Sequence, residues 1–139
     1  MRILLTVFVS FLLLINGIGA IYGGYHLLLS PDGAHFQMSV SVLKHSPFHD
    51  FFIPGLILIT ANGLFSLIVL AAIIFGYKNK SRLVFAQGVI LTGWIVIQVL
   101  LLQVFTELHL IYLIVGIFLI ISSFALAKAD AKNLNEKLI

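Results

Sequence analysis

Five histidines, His26, His35, His45, His49 and His109, are the side chains best suited to proton transfer or metal ligation in this chain, because imidazole titrates near neutrality and is the commonest metal ligand. Asp32, Asp50 and Glu107 would add oxygen ligands. A metal site would draw on His45, His49, Asp50 and His109. The spacing argues against it: His45 and His49 are four apart, but Pro47 starts a helix between them, so the two do not share a helical face. The histidines read mainly as exposed or interfacial side chains. With no cysteine in 139 residues, disulfides, thiolate metal sites and thiol catalysis are excluded.

A second set is uncharged. Asn16, Asn62, Gln87, Trp94 and Gln98 interrupt runs that are otherwise apolar. Gln87, Leu91, Trp94 and Gln98 recur at spacings of four, three and four, which puts them on one helical face, expected to point inward. At about 1.5 Å per residue, Asn16, Asn62 and Gln98 lie roughly 18 to 22 Å from the basic ends of their segments and so share one depth. Two uses fit them. They tie three helices together, through interhelical hydrogen bonds of typically about 0.6 kcal/mol and up to about 2, or they line a small cavity, capped by Trp94, for a lipid, quinone or other small amphiphile. No charged residue lies within these runs, which argues against an ion- or proton-coupled pump. No phosphate loop, HExxH motif or nucleophilic triad is present, and no cofactor is implied.

The elements that must position these residues follow from composition. The chain is 61% hydrophobic and 9% charged, with a mean hydropathy of +1.17, far too apolar for an ordinary water-soluble domain. Four runs approach the roughly 20 residues that a bilayer span needs: about 3–29, 53–76, 83–105 and 108–127. Arg2, Lys78, Lys80, Arg82, Lys128, Lys132 and Lys137 fall on one side of these spans and only Lys44 on the other. That excess follows the positive-inside rule and does not read as a nucleic-acid surface. The expected fold is all-α: an integral membrane four-helix antiparallel bundle with a structured extracytoplasmic loop (30–52), a polar tail (128–139) and both termini cytoplasmic. All five histidines then fall on the outer side. The first span has the charged and apolar parts of a secretory signal, but its apolar run continues to Leu29, so it is read as a retained span.

Local signals refine this picture. Gly19 and Gly23 form a GxxxG pair, and Ala20 with Gly24 repeats the spacing one residue on; such residues let helix backbones approach closely in lipid. They are expected to pack against a neighbouring span, with a homodimer or a partner membrane protein as the other candidate. Ser30-Pro31-Asp32-Gly33 is a strong turn. Phe36, Met38, Val40 and Val42 alternate with polar residues, which predicts a short extended segment. Ser46 and Pro47 read as the cap and first residue of a short interfacial helix over Pro47–Phe52, with its phenylalanines towards the membrane. Pro54 then sits in the first turn of the second span. Thr106 is a candidate cap for the fourth span, where only Gly116, Ser122 and Ser123 interrupt a mostly lipid-facing sequence.

Pro31-Asp32-Gly33, the run SPFHDFFIPG from Ser46 to Gly55, and GWIVIQ from Gly93 to Gln98 resemble a set of small four-span bacterial membrane proteins without an assigned function. The resemblance implies the architecture and a bacterial cytoplasmic (inner) membrane location, and nothing catalytic. His45 and Asp50 also form H-x4-D, the spacing of membrane glycerolipid acyltransferases, in which the histidine is a base oriented by the aspartate. Those enzymes act on the opposite leaflet and carry further substrate-binding motifs missing here. The expected role is therefore non-enzymatic: an accessory membrane protein, or one that binds a small hydrophobic ligand or lipid. An oligomeric small transporter or channel, and a membrane enzyme using the outer histidines, are the alternatives.

Overall fold

The computed structural model describes residues 1–138 and is helical, with no β-strand among them. Its long helices are α1 (Arg2–Leu29), α2 (Phe52–Ile74), α3 (Lys80–Leu102) and α4 (Glu107–Glu136), each long and apolar enough to cross a membrane. The last of them runs on through the polar stretch beyond Ala127 as far as Glu136. Large apolar side chains stand exposed on every helix, among them Ile18, Ile68, Leu100 and Ile121.

Glycines set how closely the helices pair. A methyl group on Gly24 of α1 would lie 2.6 Å from the Gly55 carbonyl oxygen of α2, and one on Gly63 of α2 would lie 3.5 Å from the Gly17 carbonyl oxygen. The contacts run in opposite order along the two helices. Their spacings differ: seven residues from Gly17 to Gly24, but eight from Gly55 to Gly63. The extra residue is absorbed by a π-helical segment, Leu58–Leu64, between the α-helical turns Phe52–Ile57 and Phe65–Ile74. Its wider turn keeps both glycines on the face towards α1. Gly88 of α3 and Gly116 of α4 make the corresponding approach, a methyl on Gly88 falling 2.9 Å from the Gly116 carbonyl oxygen.

The helices thus form two tightly joined pairs, α1 with α2 and α3 with α4. Near the termini the pairs close on a core of Val9, Leu13, Val69, Ile73, Val84, Leu119 and Leu126. Phe8 meets Phe118 edge-on at 5.1 Å between ring centres. Asp130 of α4 pairs with Arg2 of α1 and, at 3.1 Å, with Lys80 of α3. The interruptions in α4 form its packing stripe, Gly116, Leu119, Ser122, Ser123 and Leu126 being buried.

The loop between α1 and α2 departs from expectation. Instead of an extended segment it makes two short 3-10 helices, Ala34–Phe36 and Val40–Leu43. Gly33 and Gln37 both adopt left-handed backbone angles, and the Gly33 carbonyl accepts from the amides of Phe36 and Met38. These turns break the two-residue period: Met38 and Val42 pack inward while Phe36 and Val40 stay exposed. A lone strand would also have lacked a partner to bond with. The short helix over Pro47–Phe52 is absent as well. The Ser46 hydroxyl donates to the Leu43 carbonyl and accepts from the Phe48 amide, closing a turn there. The chain then bends until α2 starts at Phe52, whose amide donates to Asp50. Pro54 does lie in that first turn. Phe51 is buried with Leu27 and Leu43 under the loop and does not face outward.

Candidate functional site

Away from the termini the two helix pairs separate, and a cleft of about 470 Å³ opens between α1, α3 and α4. That volume lies in the range of small-molecule sites. Asn16 forms its deep end. Gly19, Ala20, Gly23 and Leu27 line the α1 wall, and Leu91, Trp94, Ile95, Gln98 and Leu102 the α3 wall. Small residues at every turn of α1 leave the groove open. Thr106, His109 and Tyr112 approach from α4, and Phe36 and Met38 of the loop cover the mouth.

Of the residues singled out in the sequence, Asn16, Trp94 and Gln98 come together on this cleft, while Asn62 and Gln87 are fully buried beyond its floor. Asn16 Nδ2 donates to the Asn62 carbonyl at 3.2 Å and to Ser66 Oγ at 2.7 Å. Gln87 Nε2 donates to Asn62 Oδ1 across 3.4 Å, a long and weak bond. Asn62 Nδ2, Gln87 Oε1 and Thr92 Oγ1 are buried with no hydrogen-bond partner among the described residues. Gln87, not Gln98, therefore shares the level of Asn62. Counting rise per residue assumes helices that start flush and stand upright, and it ignores the reach of a glutamine side chain. Gln98 lies three turns further along α3, about 16 Å away by rise.

Gly19 and Gly23 turn towards the cleft, Gly19 facing the Tyr112 hydroxyl, whereas Gly24 lies at the backbone contact with α2 and Ala20 is buried. The close approach along α1 is thus carried by Gly17 and Gly24, a seven-residue spacing that a search for GxxxG passes over.

The outer histidines go to separate tasks. His109 Nδ1 accepts from the Thr106 amide at 3.0 Å and lies 2.9 Å from the Thr106 hydroxyl, tying the start of α4 as expected of Thr106. An amide can only donate, so in the neutral ring the proton sits on Nε2. His26 and His35 stack face to face, 3.8 Å apart and 4° from parallel, which holds the first 3-10 turn against α1; Tyr22 packs edge-on against His26. His45 and His49 are exposed. Among the described residues no three His, Asp or Glu side chains gather into a metal-ligating group, so His45, His49, Asp50 and His109 are not brought together. Asp32 accepts from the Ser30 hydroxyl at 2.6 Å and from the Ala34 amide, and these bonds hold its carboxyl below the usual carboxylate value.

Sequence reasoning did not find Tyr112, Phe36, Met38 or Ser66 as members of the site. Ser66 had a signal: it lies four residues after Asn62 and so on the same helical face. The loop residues had none, because their positions depend on the left-handed turn at Gln37. Compared with known proteins, the chain matches no family model, no curated protein and no solved structure.

Proposed function

We propose that this chain is a non-enzymatic integral membrane protein that binds a small hydrophobic ligand or lipid in the cleft between its helix pairs. The observation that carries the reading is the cleft itself. It is a long apolar groove with Asn16 at one end and Thr106 and His109 at the other, and among the described residues no Lys, Arg, Asp or Glu lies on its walls. In this reading the four helices form an antiparallel bundle in a bacterial cytoplasmic membrane, with the loop over residues 30–51 outside and both termini inside. The exposed apolar side chains support the membrane setting, and the basic residues at the terminal end support the orientation. Since the chain has no cysteine, single cysteines at Lys44 and Lys132 would test orientation: an impermeant thiol reagent added outside cells should label the first and spare the second.

Trp94 is the sole tryptophan and lies on the cleft, so its fluorescence reports occupancy. Dibrominated amphiphiles should quench it saturably in lipid nanodiscs. Gly23→Leu should weaken that quenching without unfolding the protein, because a Cβ added there meets only Leu58, at an ordinary contact distance of 3.5 Å, and Gly23 lines the groove. Quenching that merely tracks lipid partitioning and ignores Gly23→Leu would refute the reading.

A further inference from the structure

Within that ligand-binding reading, we propose that the cleft selects an uncharged amphiphile whose head carries a hydroxyl or N–H donor, bound head first with that donor on Asn16 Oδ1. The orientation of the Asn16 amide is fixed by its partners. One of them is the backbone carbonyl of Asn62, which can only accept, so the atom facing it is Nδ2. Oδ1 is then the other end of the amide, and among the described residues no group donates to it. Asn16 is 2% exposed, and Oδ1 is not among the polar atoms sealed off without a partner. Asn16 itself lines the cleft, which is where a ligand donor would reach that oxygen. A lone acceptor in an apolar groove favours a donor over any group that cannot supply one, since a buried polar atom left unpaired carries a desolvation penalty.

The rest of the groove sets the remainder of the ligand. From Asn16 to Leu27, eleven residues of α1 give about 16 Å of wall, lined by Leu91, Ile95, Leu58 and Leu102 with small residues opposite. This takes a single apolar chain running towards the mouth. With no cation on the walls and Asn16 deep between helices, an anionic head placed there would lose its hydration without compensation. The deep end therefore discriminates against fatty acids and phospholipid head groups and for an alcohol or amide.

The test measures Trp94 quenching in nanodiscs by three chain-matched probes: dibrominated octadecanol, its methyl ether, and the dibrominated octadecanoate anion. The alcohol should bind about tenfold more tightly than the ether, the equivalent of one buried hydrogen bond, and the anion most weakly. Asp130→Asn, at the closed end away from the cleft, should keep the preference, whereas Asn16→Leu should abolish it. If Asn16→Leu does not fold, the wild-type alcohol-to-ether ratio decides. Equal saturable binding of alcohol and ether overturns the donor assignment while leaving the cleft as a ligand site. Anion binding as tight as the alcohol's overturns the selection for an uncharged head, and retention of the preference in Asn16→Leu moves the contact away from Asn16. Absence of saturable quenching by all three probes removes the ligand-binding reading itself.

Discussion

The terminal half and the loop half of this molecule are built from the same four helices, yet one is packed shut and the other holds a cleft. In the terminal half large aliphatic residues meet, Val9, Leu13, Val69 and Leu119 being fully buried. In the loop half the α1 wall offers Gly19, Ala20 and Gly23 opposite Trp94 and Gln98. Side-chain volume decides the difference: small residues towards a neighbour's backbone pull two helices together, as at Gly24 and Gly55, whereas small residues facing a gap leave it unfilled. Both kinds lie one residue apart on α1, so a single helix both clamps its partner and lines a cavity.

The largest effect should come from breaking the clamp. Gly24→Leu would drive a side chain into the Gly55 carbonyl and Ile59, costing about 3 kcal/mol or more by overpacking. Gly93→Ala is the matching change at a glycine with nothing within 4 Å of the added carbon. It should be neutral or stabilising by up to about 1 kcal/mol. Unfolding by SDS titration compares the two, and equal losses would show that the clamp has been misplaced.

Next in size are the amides at the boundary between the halves. Asn16→Leu removes the donor to Ser66 and to the Asn62 carbonyl and should cost up to about 2 kcal/mol. Asn62→Leu loses one 3.4 Å bond and an amide nitrogen that has no partner, so it should cost no more than about 0.6 kcal/mol. A reversed order in the same titration would mean that Asn62, not Asn16, is the tie between helices.

These cases show where the sequence was legible. Hydropathy located all four long helices, because the run lengths that span a bilayer leave little freedom. Polar interruptions named Asn16, Trp94 and Gln98, which do meet on the cleft. What failed needed tertiary knowledge. The π segment is implied only once Gly17 and Gly24 are known to oppose Gly63 and Gly55, since eight residues facing seven is a mismatch only between partners. The end of α3 at Leu102 is set by a left-handed Gln103, a conformation that no glycine or proline announces. The loop's alternating pattern was real in sequence, but Gly33 and Gln37 fold it into 3-10 turns with Leu27 and Phe51 beneath.

A smaller effect is expected at the closed end. Asp130→Asn removes the partner of Arg2 and Lys80, but these groups are 40% and 15% exposed in their side chains and Asp130 is 24% exposed. Solvent screening keeps such pairs within about 1 kcal/mol. The loss should shrink at high salt, and Trp94 quenching in the cleft should be untouched. A change in ligand affinity on Asp130→Asn would show that the closed end controls the open one.

The smallest effect lies in the loop over the mouth of the cleft. Asp32 holds the first turn through the Ser30 hydroxyl and the Ala34 amide, and its carboxyl is lowered from the usual 3.8 chiefly by the Ser30 bond. A lowered folded-state value means that the charged form is the one favoured by folding. The contribution is therefore fully present above 3.8 and is lost as pH falls through the lower folded value. Hydrogen exchange should show the Ala34 amide protected at pH 5 to 7, in the range of about one unit and more above that carboxylate value, and opening only under more acid conditions. Asp32→Asn should remove that acid transition while amides of the closed half, such as those around Val9 and Val69, exchange as before. If the closed half loosened in step with the loop, the two halves would be one cooperative unit, and the cleft could not open without unfolding the core beneath it.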